Sequence, residues 1–175
     1  MTILFLESGT DATQGFEFFG AVFGSSSSSA QSKTGPRSVA LTGSSSSINA
    51  NVVMPSAGGR ASFWTRQSLS AGNRMIFSLG GISGFGLATN ASEVLYLADG
   101  LANNRATGVA FTPDTWMHIA IAYTYTNSTT NRFIVWMNGV IVINATNVTW
   151  SSSMPNSAYW FGESGTTQYF DDLYL

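Results

Sequence analysis

Residues 116–144 read WMHIAIAYTYTNSTTNRFIVWMNGVIVIN. This stretch holds three apolar runs, Trp116–Tyr125, Arg132–Met137 and Val140–Ile143, and Asn138-Gly139 separates the last two. Asn-Gly supplies the positive φ angles that a two-residue type I′ turn needs, so the pair predicts a β-hairpin. Ile, Val, Trp, Tyr and Phe dominate the runs and suit strands. Apolar residues occupy both alternating faces without a helical period, which predicts strands that are covered on both sides.

Length and composition limit the class of protein. At 175 residues the chain is long enough for one domain with its own core, and the absence of cysteine excludes disulfides and thiolate metal sites. Charged residues make up only 9% of the chain and the net charge is −2, so we expect no nucleic-acid partner. Low charge and a surplus of aromatic residues leave self-association into a homo-oligomer open.

The N-terminus and the hydropathy pattern bear on location. No stretch reaches the roughly 18 apolar residues of a membrane span, so we expect no membrane partner. The opening MTILFLESGTD lacks a basic region before its apolar run and does not resemble a signal peptide. We therefore expect a chain used as translated, located in a virion or outside the cell by a route other than export through a signal peptide.

Short apolar runs bounded by Gly, Asn, Ser or Pro follow one another along the chain. They predict an all-β antiparallel sandwich or barrel that forms a single domain over residues 1–175. Segment 1–24, with its phenylalanine cluster, is a candidate interface arm, and the serine runs Ser25–Ser29 and Ser44–Ser47 are predicted loops. The other predicted strands are Thr2–Leu6, Arg37–Leu41, Ile48–Met54, Arg60–Arg66, Met75–Leu79, Phe85–Thr89, Val94–Leu97, Thr107–Phe111, Tyr159–Phe161 and Tyr169–Leu175.

Five short motifs span nearly the whole chain. They are Ser38-Val39-Ala40-Leu41-Thr42-Gly43, Phe63-Trp64-Thr65-Arg66, the set Trp116, His118, Ile119, Ala120 and Tyr123, then Val135-Trp136-Met137-Asn138-Gly139, and Phe170-Asp171-Asp172-Leu173-Tyr174-Leu175. In this order the motifs resemble those of the concanavalin A-like lectins and glucanases, most closely their laminin G-like branch. The resemblance implies a two-sheet antiparallel jelly-roll sandwich, and we expect the hairpin strands around Asn138-Gly139 to be central to one sheet.

Catalytic chemistry lacks support in the sequence. Glycoside hydrolysis needs two carboxylates about 5–10 Å apart across the scissile bond. The nine acids are isolated except Asp171-Asp172, which we expect to point to opposite faces of one strand and to tether a neighbouring loop. His118 is the only histidine and no nucleophile elbow surrounds any serine, so it is interpreted as a strand histidine held by a local partner. We expect no catalytic residue and no enzyme.

Calcium is the one cofactor that the resemblance implies. Laminin G-like domains often hold a calcium ion at a loop rim, and calcium takes carboxylate, amide and carbonyl oxygens. The candidate ligands are Asp99 and Asn103-Asn104 in the ADGLANN loop, with Asp11 or Asp171 as alternatives. No ordered acid cluster supports them, and a plain turn at Asp99-Gly100 is the competing interpretation.

The chain has more aromatic residues than one core requires, and this surplus is the remaining indication of function. Sugar rings stack on aromatic faces, and rigid Trp or Tyr side chains also anchor protein interfaces. The sequence does not separate these two uses. The candidate ligand or interface residues are Trp64, Tyr96, Trp136, Trp150 and Trp160, with Tyr125 and Tyr159 beside them.

The resulting hypothesis is a non-enzymatic recognition or structural module of a virus particle. The chain has no export signal, no cysteine, and Ser/Gly/Thr/Asn-rich loops with few lysines. Bacteriophage capsid decoration and tail-fibre proteins share this composition and fold, so the expected partners are capsid or tail proteins or a cell-surface glycan. A free-standing carbohydrate-binding lectin module is the alternative, and a glycoside hydrolase is the third.

Overall fold

The computed structural model describes residues 5–6, 21–23, 25–28, 31–34, 38–43, 46–51, 58–68, 72–80, 85–98, 104–127, 130–149, 157–163 and 165–175. Every regular element within these ranges is a β-strand, and none of them forms a helix that could cross a membrane. The strands are β1 (Phe5–Leu6), β2 (Ala21–Phe23), β3 (Ser25–Ser28), β4 (Ser38–Thr42), β5 (Ser47–Asn51), β6 (Gly59–Gln67), β7 (Arg74–Leu79), β8 (Phe85–Thr89), β9 (Val94–Ala98), β10 (Asn104–Ala110), β11 (Met117–Thr124), β12 (Asn131–Met137), β13 (Val140–Val148), β14 (Ser157–Phe161) and β15 (Thr167–Tyr174).

The described strands form two antiparallel sheets. Sheet A has the order β13-β12-β11-β6-β15-β4-β3, and β1 also pairs with β15. Sheet B has the order β10-β9-β8-β7-β14-β5-β2. The predicted all-β architecture of two packed antiparallel sheets is therefore confirmed.

Large aromatic side chains from both sheets fill the space between them. Phe63 on sheet A lies 5.4 Å from Phe77 and 6.1 Å from Trp160, both on sheet B, measured between ring centres. Phe170 of the neighbouring strand β15 lies 6.0 Å from Phe63. These four residues are at most 2% exposed, and burying each of them contributes roughly 1.5–3 kcal/mol. This cluster joins the middle strands of the two sheets.

The β12–β13 hairpin turns at Asn138-Gly139, where φ is 50° and 82°. Both angles are positive, so the predicted turn is confirmed. The expected central position of the hairpin is wrong, because β13 ends the order of sheet A among the described strands. Gly108 of the edge strand β10 comes close to β13: a Cβ built on it would lie 3.1 Å from Ile143. The edges of the two sheets meet there.

The strands of sheet A are buried on one face only. In β11 the residues alternate between buried and half-buried, from buried Met117 to buried Tyr123. The expectation that the strands of the 116–144 stretch are covered on both sides is therefore wrong. Double coverage occurs instead in sheet B, where all five residues of Phe85–Thr89 are buried. The outer face of sheet A is partly accessible, even though its side chains include large apolar groups.

Ser25–Ser28 forms strand β3, so the predicted loop across this serine run is wrong. The strand pairs with β4 through backbone hydrogen bonds, which any side chain permits at a sheet edge. The second predicted serine loop is only partly described: Ser47 opens β5, and residues 44–45 lie outside the described ranges. Within segment 1–24, β1 and β2 pair with β15 and β5 of the same chain.

Candidate functional site

The outer side of sheet A carries a band of aromatic side chains around small ones. Trp64 on β6 is opposite His118 on β11, with ring centres 5.1 Å apart. One pair further along, Ala120 lies between Ser62 on β6 and Trp136 on β12. We call these five residues the aromatic face. It results from strict alternation, because their chain neighbours point into the core.

The aromatic face has small residues between its two tryptophans, and we call the surface above these small residues the trough. Trp64 and Trp136 lie two strands apart and are displaced by one side-chain pair, so their Cα atoms are separated by roughly 10 Å across the sheet and about 7 Å along it. Ser62 and Ala120 lie between them and leave the floor low. The trough continues to the hairpin edge, where Ile141 pairs with Trp136 and is 53% exposed. Two indoles beside a low floor offer a surface on which a flat apolar ring face can stack.

A loop next to β15 adds a cation to the aromatic face. The Nζ atom of Lys33 lies 4.5 Å from the centre of the Trp64 ring, within the range of a cation–π interaction. Thr34, the next residue, has its hydroxyl 2.8 Å from each carboxylate oxygen of Asp172 and donates a hydrogen bond there. This loop closes one end of the trough.

Asp171 holds the same loop in place. Its Oδ2 atom accepts hydrogen bonds from the backbone N–H groups of Lys33 and Thr34, at 2.8 and 3.0 Å. Its Oδ1 atom accepts one from the N–H of Asp172 at 3.0 Å. The expected loop tether is confirmed. Burial raises the pKa of the Asp171 carboxyl, and the three backbone hydrogen bonds oppose that rise only in part.

The expectation that Asp171 and Asp172 point to opposite faces is wrong. The pairing of β15 with β6 changes register between Asp171, opposite Trp64, and Tyr174, opposite Ser62. A β-bulge of this kind places an extra residue on one strand, and Asp172 adopts the left-handed conformation with φ of 47°. As a result both carboxylates reach Thr34.

His118 takes part in the aromatic face through its ring and in the turn through its backbone. Its N–H donates to Oδ1 of Asn138, and its carbonyl accepts from the N–H of Asn138, both at 2.9 Å. Burial lowers the pKa of the His118 ring, while the charge of Asp172 raises it by a smaller amount. The ring is therefore mostly neutral at pH 7, and its face is available for stacking.

The structure separates the five aromatic residues that the sequence singles out. Trp64 and Trp136 are half-buried and share the aromatic face. Trp160 is fully buried, because it lies on the inner side of β14 against Phe63 and Phe77, so its predicted exposure is wrong. Tyr96 is on the outer side of sheet B but only 7% exposed, so it is not an open platform either.

Trp150 and the predicted calcium ligands Asp99, Asn103 and Asp11 fall outside the described residues. The predicted ligand Asn104 is described, and its side chain donates a hydrogen bond to Thr107 at 3.0 Å. In the part of the chain that the structure describes, no three His, Asp or Glu side chains are grouped closely enough to hold a metal ion.

A buried charge cluster was not predicted. Arg74 pairs with Glu93 and Glu163, which come from distant parts of the chain. It also donates to Oγ1 of Thr89 and to the carbonyl of Ser68, both at 3.0 Å. The carboxylates thus face a guanidinium in the interior rather than an open groove. No local motif could have indicated this cluster, since only the pairing of β7, β8, β9 and β14 in sheet B brings residues 74, 93 and 163 together.

Comparison with solved structures identifies the class of fold to which the chain belongs. No protein-family model and no curated protein sequence matches the chain. It is similar to an endo-β-1,4-glucuronan lyase from the fungus Trichoderma reesei, with 12% identity and a TM-score of 0.70 over 97% of this chain and 93% of that one. It is also similar to the Emp46p carbohydrate recognition domain in its potassium-bound form, with 11% identity and a TM-score of 0.62 over 97% and 93%.

A third similar structure comes from a virus. This is the carbohydrate esterase vb_24B_21 of the Shiga toxin-encoding bacteriophage phi24B, with 18% identity and a TM-score of 0.58 over 86% of this chain and 85% of that one. In two other matching structures this chain spans only 46% of the solved chain. Identities this low establish the fold alone. The chain is a two-sheet jelly-roll sandwich of the kind found in lectins and polysaccharide lyases.

Proposed function

We propose that the chain is a carbohydrate-recognition module that binds its glycan on the aromatic face. The observation that carries this proposal is the placement of Trp64 and Trp136 on either side of the low floor formed by Ser62 and Ala120. Pyranose rings have apolar faces that stack on indoles, and half-buried tryptophans are held rigidly enough to bind with little loss of conformational freedom. The similar lectin and lyase structures support a ligand of this class.

We further propose that the module binds without cleaving its ligand. Both carboxylate pairs that the described residues bring together are engaged: Glu93 and Glu163 with Arg74, and Asp171 and Asp172 with the loop at Thr34. Hydrolysis needs a general acid and a base or nucleophile that reach the glycosidic bond, and neither pair is free to do so.

We place this module in a virus particle, as a tail-fibre or capsid decoration protein of a bacteriophage. The loop composition motivates this assignment, and the similarity to a bacteriophage carbohydrate esterase supports it because phage proteins use this fold. The motif order along the chain favours the laminin G-like branch of the jelly rolls. The second candidate is a free-standing lectin, which the likeness to the Emp46p carbohydrate recognition domain favours.

A glycan array tests the proposed ligand class. Trp64→Ala and Trp136→Ala should each abolish binding to glycans that the wild-type chain retains. Tyr159→Ala is the matched control, because Tyr159 is a half-buried aromatic residue on the outer side of sheet B. Binding that is lost in the Tyr159 variant and retained in both Trp variants would contradict the proposal and move the site to sheet B.

Two further measurements test whether the chain cleaves its ligand and whether it belongs to a virus particle. Release of new reducing ends from a bound glycan would contradict the non-enzymatic proposal. Mass spectrometry of purified virus particles should detect the chain. Its absence from particles, combined with glycan binding by the isolated chain, would favour the free-standing lectin.

A further inference from the structure

The basic side chains that the structure describes are concentrated on one side. Four of these five Lys and Arg residues lie on the outer side of sheet A, although the chain as a whole has a net charge of −2. Lys33 contacts Trp64, Arg66 lies 6.0 Å from the ring centre of Tyr169, and Arg60 and Arg132 are on β6 and β12. Alternation along the strands places Arg60 and Arg132 on the same side as the aromatic face.

Three of these four cations form no direct ion pair with an acid in the described part of the chain, although Asp171 and Asp172 hold the loop that carries Lys33. Arg66 is paired with Asp114 at 3.5 Å, which leaves Lys33, Arg60 and Arg132. Arg132 donates to the neutral side-chain oxygen of Asn144, at 3.3 and 3.2 Å from its Nε and Nη2 atoms. Arg60 is exposed and makes no hydrogen bond or ion pair with the described residues. An exposed guanidinium of this kind can bind a carboxylate with two parallel hydrogen bonds.

We infer that the aromatic face binds an acidic polysaccharide, one whose sugar units carry carboxylates. This inference rests on the proposed function and names the ligand class of that site. Along β6, Arg60, Ser62 and Trp64 are on the same side, so the Cα atoms of Arg60 and Trp64 are roughly 13 Å apart. A glycan that stacks on Trp64 meets Lys33 at that indole and Arg60 beyond Ser62. The aromatic face therefore offers a stacking platform with Lys33 at the Trp64 indole and Arg60 further along β6.

The number of free cations distinguishes this ligand from another polyanion. Single-stranded nucleic acid also stacks on aromatic rings, but it carries a phosphate on every nucleotide and requires a continuous basic groove. Three free cations around an apolar trough match a polymer of lower charge density.

Isothermal titration against four polymers tests the inference. The probes are polygalacturonate, alginate, hyaluronate and fully methyl-esterified polygalacturonate, which keeps the backbone of the first but has no charge. We expect binding of at least one acidic polymer. We also expect binding of the methyl ester to be weaker than that of polygalacturonate by about tenfold or more, since each charge-assisted contact contributes at least that factor.

Variants assign the effect to residues. Arg60→Gln should weaken binding of the acidic polymer by about tenfold. Arg66→Gln is the matched control on the same side of the sheet, and it should leave the affinity unchanged because Asp114 already neutralises Arg66. Trp64→Ala should remove binding of the acidic and the neutral polymer alike.

The outcomes separate the inference from the proposed function. Equal affinity for polygalacturonate and its methyl ester, lost in Trp64→Ala, would overturn the acidic ligand and leave carbohydrate recognition standing. Binding of neutral glycans on the array, without binding of any of the three acidic polymers, would also overturn the acidic ligand and leave carbohydrate recognition standing. Binding of a single-stranded DNA oligomer more tightly than of every acidic polymer would overturn the ligand class. No glycan bound at all would overturn both proposals.

Discussion

Arg74 and Glu93 form an ion pair in the interior of the sandwich, with side chains that are 1% and 5% exposed. Glu163 lies on the other side of the same guanidinium, 3.3 Å from it and 20% exposed. A buried guanidinium is stable only when hydrogen bonds satisfy its donors, and Arg74 also donates to Thr89 and Ser68. This cluster links the start of β7 to the turn before β9.

Arg74→Met should therefore destabilise the fold strongly, because it leaves the Glu93 carboxylate buried without its guanidinium. We expect the free energy of unfolding to fall by about 3–5 kcal/mol, measured by urea denaturation with tryptophan fluorescence. Arg66→Met is the control: its partner Asp114 is 64% exposed, and the pair should contribute about 1 kcal/mol or less. Equal effects of the two substitutions would show that the buried pair contributes no more to stability than the surface pair.

The protonation of His118 makes stability depend on pH. Burial holds the pKa of His118 below 6.5 in the folded state, so the unfolded chain binds a proton more readily. The contribution of this ring to stability is complete above pH 6.5 and is lost as the pH falls from 6.5 through the lower folded pKa. His118→Gln should flatten this part of the stability profile, measured as urea midpoints between pH 7 and pH 5.

The effect of the Asp172 charge on the pKa of His118 can be measured directly. Asp172→Asn should lower the pKa of His118 further, because it removes the negative charge that raises it. Proton NMR gives this pKa without assignment work, since His118 is the only histidine of the chain. Asp114→Asn is the control and should leave the pKa unchanged. A rise in the His118 pKa in Asp172→Asn would contradict the arrangement around the bulge.

Gly58 tests the close approach of β6 and β11. Its φ is 132°, and a Cβ built there would lie 2.3 Å from the carbonyl oxygen of Tyr123. Gly58→Ala should lower the free energy of unfolding by about 1–3 kcal/mol for the steric overlap, in addition to the cost of its φ angle. Gly43→Ala is matched, because Gly43 also has a positive φ, 96°, but open space around it. Equal losses in both variants would mean that no steric overlap exists at Gly58.

Asn138 occupies the hairpin turn with a positive φ and accepts a hydrogen bond from the His118 N–H. Asn138→Ala loses the hydrogen bond from the His118 N–H and keeps a strained φ of 50°, so we expect a loss of about 1–3 kcal/mol. Asn138→Gly removes only the hydrogen bond and should cost about 1 kcal/mol. Thermal unfolding of the two variants separates the contributions. A Gly variant less stable than the Ala variant would show that the positive φ carries no strain.

Much of the fold could be predicted from local patterns. Short apolar runs between turn residues, the turn signal at Asn138-Gly139 and the motif order were enough for a two-sheet antiparallel jelly roll. The site could be predicted in part. Trp64 and Trp136 are candidates from the sequence, but so is Trp160, which fills the core. Aromatic residues of a strand look alike in sequence, whether they point inward or outward, because both faces of these strands are apolar.

By itself the sequence determined most of the strands and the turn at Asn138-Gly139, since backbone propensity acts between near neighbours. Only the tertiary structure decided which face of each strand meets the other sheet, and hence that Trp64, His118 and Trp136 share an accessible surface. It also decided the bulge that brings Asp171 and Asp172 to Thr34, and the meeting of Arg74 with Glu93 and Glu163. Those contacts join residues up to 138 positions apart, and the pairing of distant strands within each sheet, rather than any local preference, selects them.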